Sequence, residues 1–355
     1  MSDHLLEVDD LSVDFSTREG TVQAVRGLTF DLEPGETLGI VGESGSGKST
    51  VALAILGLLP RNAHVRGSIR CGDDDLTRLS EPALAKVRGS TIAYIPQDPL
   101  TSLDPAYTVG WQVAEGIWTK KRDSKQGAHR RAIELLDTVG IPRASEQMGR
   151  YPHEFSGGMR QRVAIAIAMA NEPRIMIADE PTTALDVTIQ AQVLDALRAA
   201  REETHASLIL ITHDLGIVAG MADRVMVMYA GKPVETAPTD EVFYRSKMPY
   251  TLGLLGSLPR LDEERSGPLR PIPGSPPSLL TLPSGCPFRP RCPIAFDRCA
   301  AEEPDLDPVG PDHRAACHRS MEIEGGDTTL FKASWADTVD AGEPAEADRA
   351  GVRRG

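Results

Sequence analysis

Apolar positions follow two rhythms along the chain. Short runs at Leu5 to Val8, Leu11 to Phe15 and Val22 to Leu32, the last kinked near Gly27, predict strands, with a turn at Ser16-Thr17-Arg18-Glu19-Gly20. Thr37 to Val41 is an apolar strand running into a glycine-rich stretch, and Val51 to Leu59 then predicts a helix that stops at Pro60. Gly67 to Cys71 and Thr91 to Ile95 predict two more strands, the second ended by Pro96. Helical spacing takes over across 107–150: Val109, Val113 and Ile117 share a face, Ile133 to Val139 is amphipathic, and the charged part near 120–130 is expected to be exposed. Arg174 to Ala178, Leu208 to Thr212 and Arg224 to Tyr229 read as strands between helices near 157–170, 188–204 and 215–222. This alternation predicts an α/β fold on a mostly parallel sheet. Pro259 to Pro293 is crowded with proline and is expected to be extended and loop-like, and the polar residues from 323 onward are expected to be a disordered tail.

Composition narrows the setting more than the chemistry. The 355 residues are 41% hydrophobic and 25% charged, ordinary for a globular protein, and long enough for a large domain with an appendage. A net charge of −13 argues against nucleic acid as a partner. No apolar run approaches the roughly 20 residues a membrane helix needs, and Met1-Ser2-Asp3-His4 is no signal peptide. The expectation is a cytosolic protein that reaches a membrane only through partners.

The glycine-rich stretch is Gly42-Glu43-Ser44-Gly45-Ser46-Gly47-Lys48-Ser49-Thr50. It fits G-x-x-x-x-G-K-[ST] in the required setting, strand before and helix after. Its glycines let backbone N–H groups converge on phosphates at a helix N-terminus, with Lys48 reaching the β- and γ-phosphates and Ser49 reaching Mg²⁺. Ser156 is a good N-cap for the helix that begins Gly157-Gly158, a second element able to face phosphate. The strand ending in Asp179-Glu180 puts two carboxylates where an α/β sheet keeps its chemistry: one for Mg²⁺, one to orient and deprotonate a water.

In order and spacing these motifs resemble the nucleotide-binding subunit of an ATP-binding-cassette (ABC) transporter, over roughly residues 4–260. Gly42, Ser44, Gly45, Gly47, Lys48, Ser49 and Thr50 match the Walker A loop and Asp179-Glu180 the Walker B pair. Ser156, Gly157 and Gly158 match the family signature, with Phe155 and Met159 where the broad consensus has Leu and Gln. Gln97 matches the Q-loop, Ala184-Leu185-Asp186 the D-loop, His213 the switch histidine and Phe15 the aromatic that stacks on adenine. The resemblance implies a P-loop NTPase with a RecA-like core, an antiparallel β subdomain and a helical subdomain near 100–172. It implies Mg²⁺ on Ser49, Gln97 and Asp179, and Glu180, His213 and Gln97 as the catalytic set. It further implies a head-to-tail pair of cassettes, with the signature of one covering ATP on the other, and separate membrane permeases.

The C-terminal part narrows the branch. Pro249-Tyr250-Thr251, Leu254-Leu255 and Gly274-Ser275-Pro276-Pro277 resemble the extension of oligopeptide, dipeptide and nickel importer ATPases, with Met248 where the family usually has His. The organisation expected is an ATP-binding domain over 1–258, an extension over 259–322 and a tail over 323–355. The function implied is ATP-driven peptide uptake with a second, different cassette, two permeases and an external binding protein; nickel or another small solute, or a soluble non-transport ATPase, are the alternatives. Four of the five cysteines, Cys286, Cys292, Cys299 and Cys317, fall in this extension, which in a cytosolic protein suggests a metal site. The spacing lacks C-x2-C knuckles, and the nearby Arg289 and Arg291 could offset an anionic [4Fe–4S] cluster. A mixed zinc site using His313 and His318, or no metal, stay open. Cys71 stands apart as a small buried apolar residue.

Overall fold

A computed structural model describes residues 4–120, 124–257 and 272–324. Strands β1 (Leu6–Thr17) and β2 (Gly20–Leu32) form a long hairpin. The sequence splits β1 in two because Asp10 sits at φ 47° and the register shifts between Val8 and Leu11, a bulge that interrupts the alternation without ending the strand. Strand β3 (Thr37–Val41) enters the phosphate loop and α1 (Lys48–Ile55). Strands β4 (Ala63–Cys71) and β5 (Asp74–Asp75) return to the hairpin, completing an antiparallel sheet in the order β2-β1-β4-β5. Cys71 is half-buried against the core beneath that sheet, as a small apolar residue would be.

After α2 (Glu81–Val87) and β6 (Ile92–Ile95), the chain builds a helical block from α3 (Val109–Lys120), α4 (Lys125–Thr138), α5 (Ala144–Gln147) and α6 (Gly157–Met169). Val109, Val113 and Ile117 are buried there together, as their spacing predicts. Then β7 (Ile175–Asp179), α7 (Val187–Thr204), β8 (Ser207–Thr212), α8 (Leu215–Ala219) and β9 (Arg224–Tyr229) alternate. Strands β9, β3, β8, β7 and β6 lie side by side and parallel. Every residue of β3, β7 and β8 is buried, because elements pack on both faces of the sheet.

The largest departure from the sequence reading is at the sheet edge. Strand β10 (Lys232–Pro238) pairs antiparallel with β9, followed by α9 (Thr239–Arg245) and α10 (Pro249–Gly256). The extension contributes α11 (Asp297–Ala301) and a hairpin of β11 (Asp307–Gly310) and β12 (His313–Ala315), which continues the main sheet beyond β10 to eight strands. These strands are four and three residues long and carry no clear alternation; β12 is fixed by pairing with β10, distant in sequence, and β11 by pairing with β12. The described part of the proline-rich segment, 272–293, is loop apart from one 3-10 turn at Arg289–Arg291, as expected. Ile323 is not the start of a free tail: it is buried in the core that the extension shares with β9, β10 and α10, and its carbonyl accepts from Lys247 Nζ at 2.7 Å. The tail expectation otherwise falls on 325–355, outside the described residues.

Candidate nucleotide site and cysteine centre

The loop between β3 and α1 is shaped by two glycines that no other residue could replace. Gly42 and Gly47 hold φ of 155° and 103°, and a methyl at either would overlap a backbone oxygen, that of Met228 or Ala24. The ammonium of Lys48 is buried within this loop and donates to the carbonyls of Gly42 at 2.8 Å and Glu43 at 3.0 Å. Burial lowers the Lys48 pKa, while Glu180, Asp179 and Glu43 pull it back up. Ser49, one residue on, donates from Oγ to Asp179 Oδ1 at 3.0 Å.

Because β7 and β8 are parallel neighbours, the carboxylate end of β7 arrives beside α1. Asp179 is buried and also accepts from Tyr94 Oη at 3.1 Å; its pKa is raised, mainly by burial. Glu180 takes φ 47° and turns its side chain toward three partners at one oxygen, Oε2: Thr183 Oγ1 at 2.8 Å, Gln97 Nε2 at 3.1 Å and His213 Nδ1 at 3.3 Å. Gln97, Glu180 and His213 thus meet at one carboxylate oxygen, and Phe15, Ala24, the loop residues Gly42 to Thr50, Gln97, Glu180 and His213 line one open cleft of about 770 Å³. A triphosphate fits there chemically: N–H groups, a lysine and a hydroxyl on one side, the Glu180 carboxylate on the other. Tyr94 and Thr183 carry no motif signal; the register of β6 against β7 reveals the first, and the turn that follows Glu180 reveals the second.

Ser156, Gly157, Gly158 and Asp186 do not join this cleft. Ser156 caps α6, accepting from the Met159 N–H at 3.4 Å, and Asp186 caps α7, accepting from the Ile189 N–H at 3.0 Å. Ser156, Gly157 and Asp186 are exposed, and neighbouring Val187 is 83% exposed. Gly158 is buried, and a methyl there would overlap Ile189 Cγ2, so this glycine serves close packing of α6 on α7. Phe155, the departure from the consensus, is buried in the helical core.

The deciding observation is the pair of regions that match known families. The ABC transporter family matches residues 25–183, and the oligopeptide/dipeptide transporter C-terminal region matches 234–299. This chain belongs to the ABC transporter family. Over 322 residues it is 54% identical to the oligopeptide transport ATP-binding protein OppD of Mycobacterium tuberculosis, covering 90% of this chain and 53% of that protein. It is 49% identical over 318 residues to OppD of Salmonella typhimurium, covering 90% and 94%, and 50% identical over 315 to the dipeptide transport ATP-binding protein DppD of Bacillus subtilis, covering 88% and 94%. The chain therefore spans about half of the mycobacterial relative and nearly all of the other two. Among solved structures, the ATP-binding cassette MJ0796, a dimer bound to ADP and Pi, aligns with TM-score 0.59 and 26% identity over 66% of this chain and 98% of that one. No described helix of this cassette is long and apolar enough to cross a membrane.

The four cysteines of the extension lie apart from the nucleotide cleft. Cys286, Cys292, Cys299 and Cys317 line one small apolar cavity with Phe296 and His318, and the Cys286 N–H donates to the Cys299 carbonyl at 2.8 Å. Burial and, secondarily, the neighbouring thiols push the Cys292 thiol up to about 12 and the Cys317 thiol up to about 11. Both histidines considered for zinc have partners: His313 Nε2 lies 2.8 Å from Glu235 Oε1, and His318 Nε2 lies 3.1 Å from the Glu302 carbonyl. Among the described residues, three or more potential ligand atoms within 4.8 Å of one another occur only at His4, Asp31 and Glu33. A tetrahedral Zn²⁺ with Zn–S of about 2.3 Å needs sulfurs roughly 3.8 Å apart, so the thiols are spread wider than a single ion wants.

Proposed function

We propose that this chain is an ATPase subunit of a peptide importer, working at the cytoplasmic face of a membrane beside two permeases, an external binding protein and a second, non-identical cassette. The observation that carries the reading is the convergence of Gln97, His213 and Thr183 on Glu180, beside a phosphate loop whose Ser49 touches Asp179. Ser49, Gln97 and Asp179 would hold Mg²⁺, which offsets phosphate charge. Phe15 would carry the adenine, and the N–H groups from Gly45 to Thr50 together with Lys48 would bind the phosphates. Glu180 takes a proton from the attacking water as its oxygen bonds to the γ-phosphorus and the bond to the β,γ-bridging oxygen breaks; His213 orients both. The exposed Ser156, Gly157 and Asp186 would complete the site of the partner cassette, consistent with the dimeric cassette to which this one is similar. Residues 1–258 would form the ATP-binding unit, and the residues from 259 its extension, which reaches at least to Ile323.

For the extension, a [4Fe–4S] cluster on Cys286, Cys292, Cys299 and Cys317 suits the donors best: each thiolate binds a different iron, so the sulfurs stand farther apart than around one zinc. Its role would be to brace a segment that has few strands of its own. Two measurements test these readings. In the reconstituted transporter, Glu180→Gln should abolish ATP-driven peptide uptake while MgATP still binds; uptake at the parent rate rejects the ATPase assignment. Anaerobically purified chain should contain close to four irons and four sulfides, and neither in excess of background rejects the cluster.

A further inference from the structure

The phosphate loop carries a carboxylate at its second position. Glu43 lines the cleft beside Lys48, whose Nζ donates to the Glu43 carbonyl at 3.0 Å, and so would stand near the phosphates that lysine receives. A bare negative charge there opposes a polyanion. The extension neutralises it. Arg291, its side chain only 4% exposed, forms a forked pair with Glu43: Nη1 to Oε2 at 2.6 Å and Nη2 to Oε1 at 2.8 Å. Nothing about the loop's own sequence requires this arginine, which comes from 248 residues away. Arg291 is itself fixed by donation to the carbonyls of Pro273 at 2.9 Å and Ile272 at 3.3 Å and to Tyr229 Oη at 3.3 Å. Tyr250 grips the same loop residue, accepting from the Glu43 N–H at 2.8 Å. The segment so anchored reaches the cleft: Ile272 and Leu279 line it together with Phe15.

We infer that the extension is a working wall of the nucleotide pocket, with Arg291 as the positioning residue that cancels Glu43 and sets the phosphate loop. Arg291 precedes Cys292, so the order of the cysteine centre and the affinity for nucleotide are linked through one side chain. By reciprocity, whatever orders that centre tightens ATP, and ATP orders the centre. This rests on the ATP-binding reading above.

The test uses the full chain and titration with the fluorescent analogue MANT-ATP plus Mg²⁺. Arg291→Gln should raise Kd about 10-fold, as a buried charge loses its partner, and Arg291→Lys should fall between. Adding Glu43→Gln to Arg291→Gln should recover affinity to within about threefold of the parent, since the offending charge is gone. A merely structural role predicts no recovery, and that result overturns the inference, as does Arg291→Gln binding as tightly as the parent. A parent that binds no MANT-ATP overturns the functional reading as well. As a readout independent of binding, MgATP should slow iodoacetamide alkylation of Cys292 in metal-free parent at least threefold but not in Arg291→Gln; equal rates in the parent break the link.

Discussion

The nucleotide cleft and the cysteine-rich extension touch at Glu43 and Arg291, yet they are held together by opposite means. In the cleft, nearly every functional group sits at the end of a parallel strand or the start of the next helix, within a few residues of the backbone feature that aims it. Lys48 bonds to carbonyls five and six residues away, and Thr183 reaches Glu180 from three. The extension, with short strands and helices, is fastened from outside. Glu303 receives Arg26 at 2.8 Å and Lys232 at 3.1 Å, and Glu235, fully buried on β10, accepts from Ser246 at 2.8 Å and pairs with His313 at the same distance. Local geometry can specify a site by itself, whereas an appended segment without a core of its own has to borrow order from the domain it covers.

This contrast can be broken at several points. The largest effect is expected in the cleft. Glu180→Gln should cut ATP turnover by about 10²-fold or more, the usual worth of a positioned base, with MANT-ATP binding intact; a loss under tenfold would mean that the local constellation does not do the chemistry. In the extension, His313→Ala removes a buried partner of Glu235 and should cost about 2–3 kcal/mol. It should lower the melting midpoint and speed alkylation of Cys317, and an unchanged rate would show that the extension holds itself. At the interface between α6 and α7, Gly158→Ala should cost about 1–3 kcal/mol through overpacking. Gly157→Ala, whose methyl would lie an ordinary 3.5 Å from Leu185, should leave stability of the single chain within about 0.5 kcal/mol. The effect at Asp179 depends on pH. Burial raises its folded pKa above the unfolded value, so the ionised side chain costs stability once the pH exceeds about 4. Asp179→Asn should therefore raise the melting midpoint by a few °C, roughly, at pH 7 and not at pH 3.5, while losing the Mg²⁺ ligand.

Much of the cleft was readable in advance because its motifs are short-range. Gly42 to Thr50, Asp179-Glu180 and His213 each sit beside an apolar run that announces its strand. Apolar spacing puts Phe15 on β1 even though the bulge at Asp10 disguises that strand's length. Tyr94 and Thr183 escaped because a tyrosine inside a strand and a threonine after a turn look the same whether or not a carboxylate lies opposite. The pairing of β12 on β10 and the buried fate of Ile323 escaped for the same reason on a larger scale.

Sequence alone determined the kind of pocket, since a strand, a glycine-rich turn and a helix of these residues can form one phosphate cradle and little else. It also determined that four thiols would crowd one short segment. Only the tertiary structure decided that Tyr94 and Thr183 reach Asp179 and Glu180, and that Arg291 from the far end of the chain neutralises Glu43 in the phosphate loop. Hydrogen-bonding geometry within a turn is encoded over a few residues, but a charge pair across 248 residues exists only once the sheet between them has folded.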